Sequence, residues 1–235
     1  MQLSHRFQPI RDVRTGSVIG YEALARVDGG ITISDHLAAV GRLGPEALRA
    51  FDAASVAAAA TLAAAHLRPG QRLFVNVTAA TVAAVLAGGE WPSMPGGLPV
   101  VWELPEDRSG KDALLGPPEL AVLRGTGAEL ALDDLGEGFA DLHRLAAAGD
   151  RVWCKLGPSF VRSAAAAPRV LDLLRVLSYH APRIIAEGVE SARTLALLRD
   201  AGVAYAQGYH LGRPRALPVR PATRPVSAMG GMERW

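Results

Sequence analysis

Seven short runs of strand-like composition punctuate this chain, and stretches long enough for a helix separate most of them. The runs are SVIGYEAL (17–24), RLFVNVT (72–78), LPVVWEL (98–104), AELALDD (128–134), RVWCKL (151–156), RIIAEG (183–188) and VAYAQGY (203–209). Two of the intervening segments carry clear helix punctuation. SARTLALLRDAG (191–202) offers Ser191 as N-cap, apolar residues at helical spacing and Gly202 as the stop, and PRVLDLLRVLSYH (168–180) opens with a proline suited to a first turn. Strand-helix alternation of this length predicts a parallel sheet, and seven or eight such units predict a closed, TIM-like (β/α)8 barrel in the α/β class. An open doubly wound sheet is the structural alternative.

The polar residues of these runs gather at one end. Glu22, Asn76, Glu103, Asp133 with Asp134, Lys155, Glu187 and Gln207 each lie at or near a C-terminal end. In a barrel those ends form a single mouth, so residues scattered through the sequence become a ring there. Any one of them alone reads as a helix cap, a loop residue or a solvated charge. All of them together do not, because a hydrophobic strand gains nothing structurally from delivering a carboxylate to the same face repeatedly. Carboxylates plus an amide oxygen are hard ligands that suit Mg²⁺ or Mn²⁺ rather than zinc. Two such ions roughly 3.5 to 4 Å apart can promote a phosphoryl displacement, with Asp133 as bridge and Asp134 reaching the second ion. Lys155 fits three roles: positioning a water, deprotonating it, or neutralising charge on a phosphate.

Composition narrows the remaining classes. With 235 residues, 49% of them hydrophobic and 20% charged, the chain has material for a sizeable core. Its formal charge is only +2 and its basic residues are scattered, so no nucleic-acid footprint is outlined. Cys154 is the sole cysteine and cannot form an internal disulfide; it reads as a small buried residue. The N-terminal MQLSHRFQPI lacks the apolar core of a secretion signal, and AASVAAAATLAAA (53–65) is mostly alanine and short of a membrane span. The expectations are a cytoplasmic protein with no membrane partner and a buried or half-buried helix at 53–65. The six histidines show no ligand spacing, and GGITIS and GGEWPSMPGG read as turns rather than phosphate loops.

The ordered motifs carry a family resemblance. FQPIRDVRTGSVIGYEALAR, with its Glu-Ala-Leu triplet at Glu22 to Leu24, followed by LFVNV, WELPED, LALDDLGEGFADL, IIAEGVE and AQGYHLGRP, resembles the EAL domain family from Phe7 to Pro214. The resemblance implies a barrel domain over residues 1–214 that binds cyclic di-GMP and hydrolyses it to linear 5′-pGpG with two Mg²⁺ or Mn²⁺ ions. It implies Glu22, Asn76, Glu103 and Asp133 as ligands of the first ion, and Asp133, Asp134 and Glu187 as those of the second. It also implies Lys155 beside the attacking water and Gln207 at the far side of the same site. Arg26 would hold a ligand phosphate, Gln8 would contact a guanine, Leu24 would line the same ligand site, and Glu106 would steady the loop after the paired aspartates.

The match has departures. Gly157 stands two residues after Lys155, where the family usually has an aspartate, so a carboxylate for the second ion is missing. Pro105, Leu135 and Glu137 replace common family residues, and the segment after the triplet is shorter than usual. The Pro/Gly-rich end, residues 215–235, is expected to be a disordered tail. Two functional readings follow: an enzyme with activity reduced by Gly157, and a receptor that binds cyclic di-GMP and signals through a protein partner. A pure interaction surface is disfavoured by the retained metal ligands. The resemblance also implies a homodimer through the region after the double aspartate. With no sensor or receiver segment recognised, regulation is expected from pairing, a partner or expression level.

Overall fold

The computed structural model describes residues 3–105, 116–136, 152–181 and 183–217. Eight strands close into one barrel with neighbours in chain order. They are β1 (Leu3–Asp12), β2 (Val18–Val27), β3 (Arg72–Asn76), β4 (Val100–Leu104), β5 (Glu129–Leu135), β6 (Trp153–Leu156), β7 (Ile184–Ala186) and β8 (Tyr205–Ala206). Among the described residues the helices are α1 (Ile33–Gly41), α2 (Pro45–Ala64), α3 (Ala79–Leu86), α4 (Pro117–Gly125), α5 (Pro158–Ala166), α6 (Pro168–His180) and α7 (Ala192–Asp200). The closed α/β barrel agrees with the sequence expectation and excludes the open sheet.

One strand departs from it. β1 is absent from the seven runs and pairs antiparallel with both β2 and β8, whereas β2 to β8 run parallel. The reason is the connection. Asp12 Oδ1 accepts from the amides of Arg14 (2.9 Å) and Thr15 (2.7 Å), and Gly16 takes a positive φ of 73°, which turns the chain straight back. A parallel crossover needs roughly a dozen residues or more, and this turn is far shorter.

Two apolar layers hold the barrel. Ile10, Phe74, Val101, Ala131, Trp153 and Ile185 fill its interior. A second layer, including Phe7, Val56, Leu73, Leu104, Leu132 and Leu198, lies between strands and helices. Close approach requires glycine at position 20: a Cβ there would lie 2.5 Å from the Arg72 carbonyl and 3.1 Å from the Phe74 ring. The alanine-rich segment is a helix as expected. α2 is long and apolar enough by composition to cross a membrane, but Val56, Ala59, Ala60 and Ala63 form a stripe packed on the barrel. Ser191 caps α7 by accepting from the Thr194 amide, and Pro168 starts α6. At the far end, Arg215 exchanges backbone hydrogen bonds with Phe7 of β1 (2.8 and 3.1 Å). Residues 218–235 of the expected tail lie outside the described residues.

Candidate active site at the barrel mouth

Strand periodicity explains how the polar ring is built. Side chains two apart on a strand face the same side. Asn76 follows Phe74 by two, Glu103 follows Val101, Asp133 follows Ala131, and Lys155 follows Trp153; each lower residue belongs to the interior apolar layer. Glu187 and Gln207 continue β7 and β8 in the same way beyond Ile185 and Tyr205. β1 runs in reverse, so it delivers Gln8, two residues before Ile10, opposite Glu22 of β2. The ring is therefore one layer above the apolar plug.

Asp134 breaks the rule. Next to Asp133 on a regular strand it would face outward, away from its neighbour. Instead, the pairing of β5 with β6 shifts register between Leu132 and Leu135, and Asp134 adopts a φ of 52°. It is the one non-glycine residue with positive φ among those described, a conformation that Asp tolerates better than most. The result is that oxygens of Asp133, Asp134 and Glu187 lie within 4.8 Å of one another, a group able to hold a metal ion.

Charge within this ring is unevenly matched. Lys155 is 1% exposed, and its Nζ lies 2.9 Å from oxygens of Glu103, Asp133 and Glu187 and 3.6 Å from Glu22. Asn76 Nδ2 donates to Glu103 (2.7 Å) and Glu22 (3.2 Å). Gln207 Nε2 donates to Glu22 and to Gln8, whose own amide donates to the Gly212 carbonyl. Burial alone would lower the Lys155 pKa, but Asp133, Glu103, Glu187 and Glu22 together hold it well above the usual lysine range. Burial pushes the Glu103 carboxyl far up and Glu22 adds to this, against the opposing charge of Lys155. Glu187 is raised to about 8, chiefly by burial.

Burial and mutual repulsion of the carboxylates, the causes that raise Glu103 and Glu187, are what a bound cation would relieve. The donor set is entirely hard oxygen, and buried Gln207 Oε1 has no hydrogen-bond partner among the described residues. Both features fit Mg²⁺ or Mn²⁺. A mouth cavity of about 460 Å³ opens over the ring, lined by Glu22, Asp133, Lys155, Glu187 and Gln207 among others.

Other expected residues fall around this cavity with different weight. Gln8 and Leu24 line it. Arg26 is exposed, donates to the Ala25 carbonyl and lines not this cavity but an adjacent one of about 460 Å³ that also touches Glu22, Leu24 and Asn76. Gly157 follows β6 and occupies the N-cap position of α5 with φ −58° and ψ 154°, a backbone open to any residue. Glu106 lies outside the described residues. The sequence reading missed Arg162 and Tyr209, which also line the cavity. It also missed Asp52, a buried carboxylate on α2, although its helical phase with Val56, Ala59 and Ala63 is a readable signal.

Comparison with known proteins agrees with this architecture. The EAL domain family matches residues 1–214. An uncharacterized protein of Azorhizobium caulinodans is 31% identical over 235 residues, covering 90% of this chain and 31% of that protein. The cyclic di-GMP phosphodiesterase PdeB of Shewanella oneidensis is 31% identical over 125 residues, covering 50% of this chain and 14% of that one. This chain thus spans less than a third of either relative. Among solved structures, the FimX EAL domain of Pseudomonas aeruginosa bound to c-di-GMP superposes with a TM-score of 0.69 at 22% identity, covering 91% of each chain. At that identity the likeness establishes the fold.

Proposed function

The chain belongs to the EAL domain family, and we propose that it is a cyclic di-GMP phosphodiesterase that opens the messenger to linear 5′-pGpG. The observation that carries this reading is the cluster of Asp133, the re-aimed Asp134 and Glu187 beside a lysine ringed by carboxylates. A receptor with no catalytic task has no need of the left-handed Asp134 that brings the second aspartate into the mouth.

In this reading Glu22, Asn76, Glu103 and Asp133 would hold one Mg²⁺ or Mn²⁺, and Asp133, Asp134 and Glu187 the other. When bound, such ions supply Lewis acidity to phosphoryl transfer. Lys155 enters as an ammonium, aimed by its carboxylates to donate to water or to a phosphate oxygen. Gln207 fixes the Glu22 carboxylate and the Gln8 amide together, so the metal side and the ligand side of the mouth share one strut. Arg26, in the adjacent cavity that Leu24 also lines, holds a phosphate, and Gln8 meets a guanine. Water adds at phosphorus, the bond to the 3′ oxygen breaks, and that oxygen leaves as a hydroxyl while the 5′ phosphate stays attached. The working unit is the barrel of residues 1–214, acting in the cytoplasm. Glu106 steadies the loop after the paired aspartates, and a homodimer forms through the segment after them, both outside the described residues.

Gly157 favours a second reading, a receptor that binds cyclic di-GMP and signals through a protein partner, because it supplies no side chain to the second ion. A chromatographic assay with cyclic di-GMP and Mg²⁺ or Mn²⁺, with Glu22→Ala as control, decides between them. Linear pGpG from the parent chain alone supports the enzyme. Tight calorimetric binding without product supports the receptor, and neither binding nor product removes both.

A further inference from the structure

Asp52 is 2% exposed on the barrel-facing stripe of α2, among Val56, Ala59, Ala60 and Ala63. Burying a carboxylate among alanines is costly unless it is hydrogen-bonded. Its Oδ2 accepts three bonds, from the Thr78 amide (2.8 Å), the Thr78 hydroxyl (2.8 Å) and the Thr81 hydroxyl (2.6 Å). All three donors lie at the start of α3, where Thr78 is the N-cap residue and its own side chain caps nothing. Thr78 is two residues beyond Asn76. Between them Val77 donates its amide to the Glu103 carbonyl at 3.2 Å and buries its side chain. Asn76 is thereby held from two directions. Its amide is tied to Glu22 and Glu103 inside the mouth, and its backbone is anchored through Thr78 to α2 outside the barrel wall.

We propose that Asp52 is a positioning residue for the metal site, fixing the β3–α3 corner so that the Asn76 amide meets the Glu22 and Glu103 carboxylates in one geometry. The inference rests on the phosphodiesterase reading, in which Asn76 is a metal ligand. A helix cap alone is a lesser task that the Thr78 hydroxyl could perform with no buried charge. Outer partners that orient a ligand act on metal affinity as well as on stability.

The test titrates the full chain with Mn²⁺ by calorimetry, alongside thermal unfolding in EDTA and steady-state hydrolysis. Asp52→Ala should weaken Mn²⁺ binding about tenfold and lower kcat in parallel, while KM changes much less. Asp52→Asn keeps an acceptor oxygen and should recover most of the loss. Thr81→Val, which removes one donor with little change in shape, should weaken Mn²⁺ binding by about threefold. If Asp52→Ala does not fold, the other two variants carry the test. Lowered unfolding temperature with unchanged Mn²⁺ affinity in the variants would make Asp52 a cap only and overturn the proposal. Absence of Mn²⁺ uptake and turnover in the parent chain would instead remove the phosphodiesterase reading, and this proposal with it.

Discussion

The two ends of the barrel handle charge in opposite ways. At the floor, Trp153 plugs the interior, with the guanidinium groups of Arg72 and Arg183 over its ring at 5.5 and 5.2 Å. Glu129 Oε2 accepts from Arg72 Nε (2.8 Å) and Trp153 Nε1 (3.1 Å) and lies 3.6 Å from Arg183. These charges are half-exposed and oppositely paired, so they tie strands together at little desolvation cost. At the mouth, two residues further along the same β6 strand, Lys155 faces four carboxylates and is almost fully buried. A surplus of buried negative charge does not stabilise a fold. The floor is arranged for stability, whereas the mouth carries a surplus of buried negative charge that the proposed cations would offset.

The largest expected effect tests the floor. Trp153→Ala should cost about 3 to 5 kcal/mol in urea unfolding, the usual range for truncating a buried aromatic. Its effect on the Mn²⁺ affinity of the folded protein should be much smaller; an equal loss of both would erase the distinction between the two ends. Asp133→Asn should do the reverse. It should weaken Mn²⁺ binding and turnover by about a hundredfold or more, since losing a ligand costs no less than losing an outer partner that orients one, with no fall in the EDTA unfolding midpoint. A large drop in that midpoint would mean the mouth charges are structural. Gly157→Asp sharpens the comparison further by adding an acid where the mouth lacks one. Calorimetry should show Mn²⁺ binding tightened about tenfold if the residue reaches the second ion, and a mere rise in thermal stability would mark it as a better cap for α5.

The smallest effect is a pair of pH slopes. Burial acts to raise Glu129, but hydrogen bonds from Arg72 and Trp153 and the nearby positive charges outweigh it and hold the group below the usual glutamate value of 4.5. Its stabilising contribution is therefore present above that value and is lost on acidification. Glu187 has the opposite sign: in metal-free protein its contribution is full below 4.5 and disappears as pH rises through about 8. Unfolding midpoints in EDTA should lose part of their acid-side fall in Glu129→Gln and part of their alkaline-side fall in Glu187→Gln. Unchanged profiles in both would show that the floor and mouth do not differ electrostatically in the way described.

How much of this was readable beforehand depends on the residue. Glu22, Asn76, Glu103 and Lys155 were legible because parallel strands put their C-terminal ends at one mouth and because the residues two before Asn76, Glu103 and Lys155 are apolar. β1 was not, since its buried His5, Phe7 and Ile10 are interleaved with exposed Ser4 and Arg6 and with a glutamine that faces the mouth. Asp52 carried a signal in its helical phase, yet its partners Thr78 and Thr81 are distant in sequence.

By itself the sequence determined the strand-helix rhythm and the chemical character of the mouth, because these follow from local periodicity and from which side chains can carry charge, while its ordered motifs carried the likeness to the family. Tertiary structure decided what periodicity does not encode. The reversed β1 places Gln8 against Gln207, a register shift with a left-handed backbone turns Asp134 beside Asp133, and burial forces Lys155 and its carboxylates to share one small volume. Each of these depends on contacts between segments far apart in the chain, and it is the closure of the barrel that sets those distances.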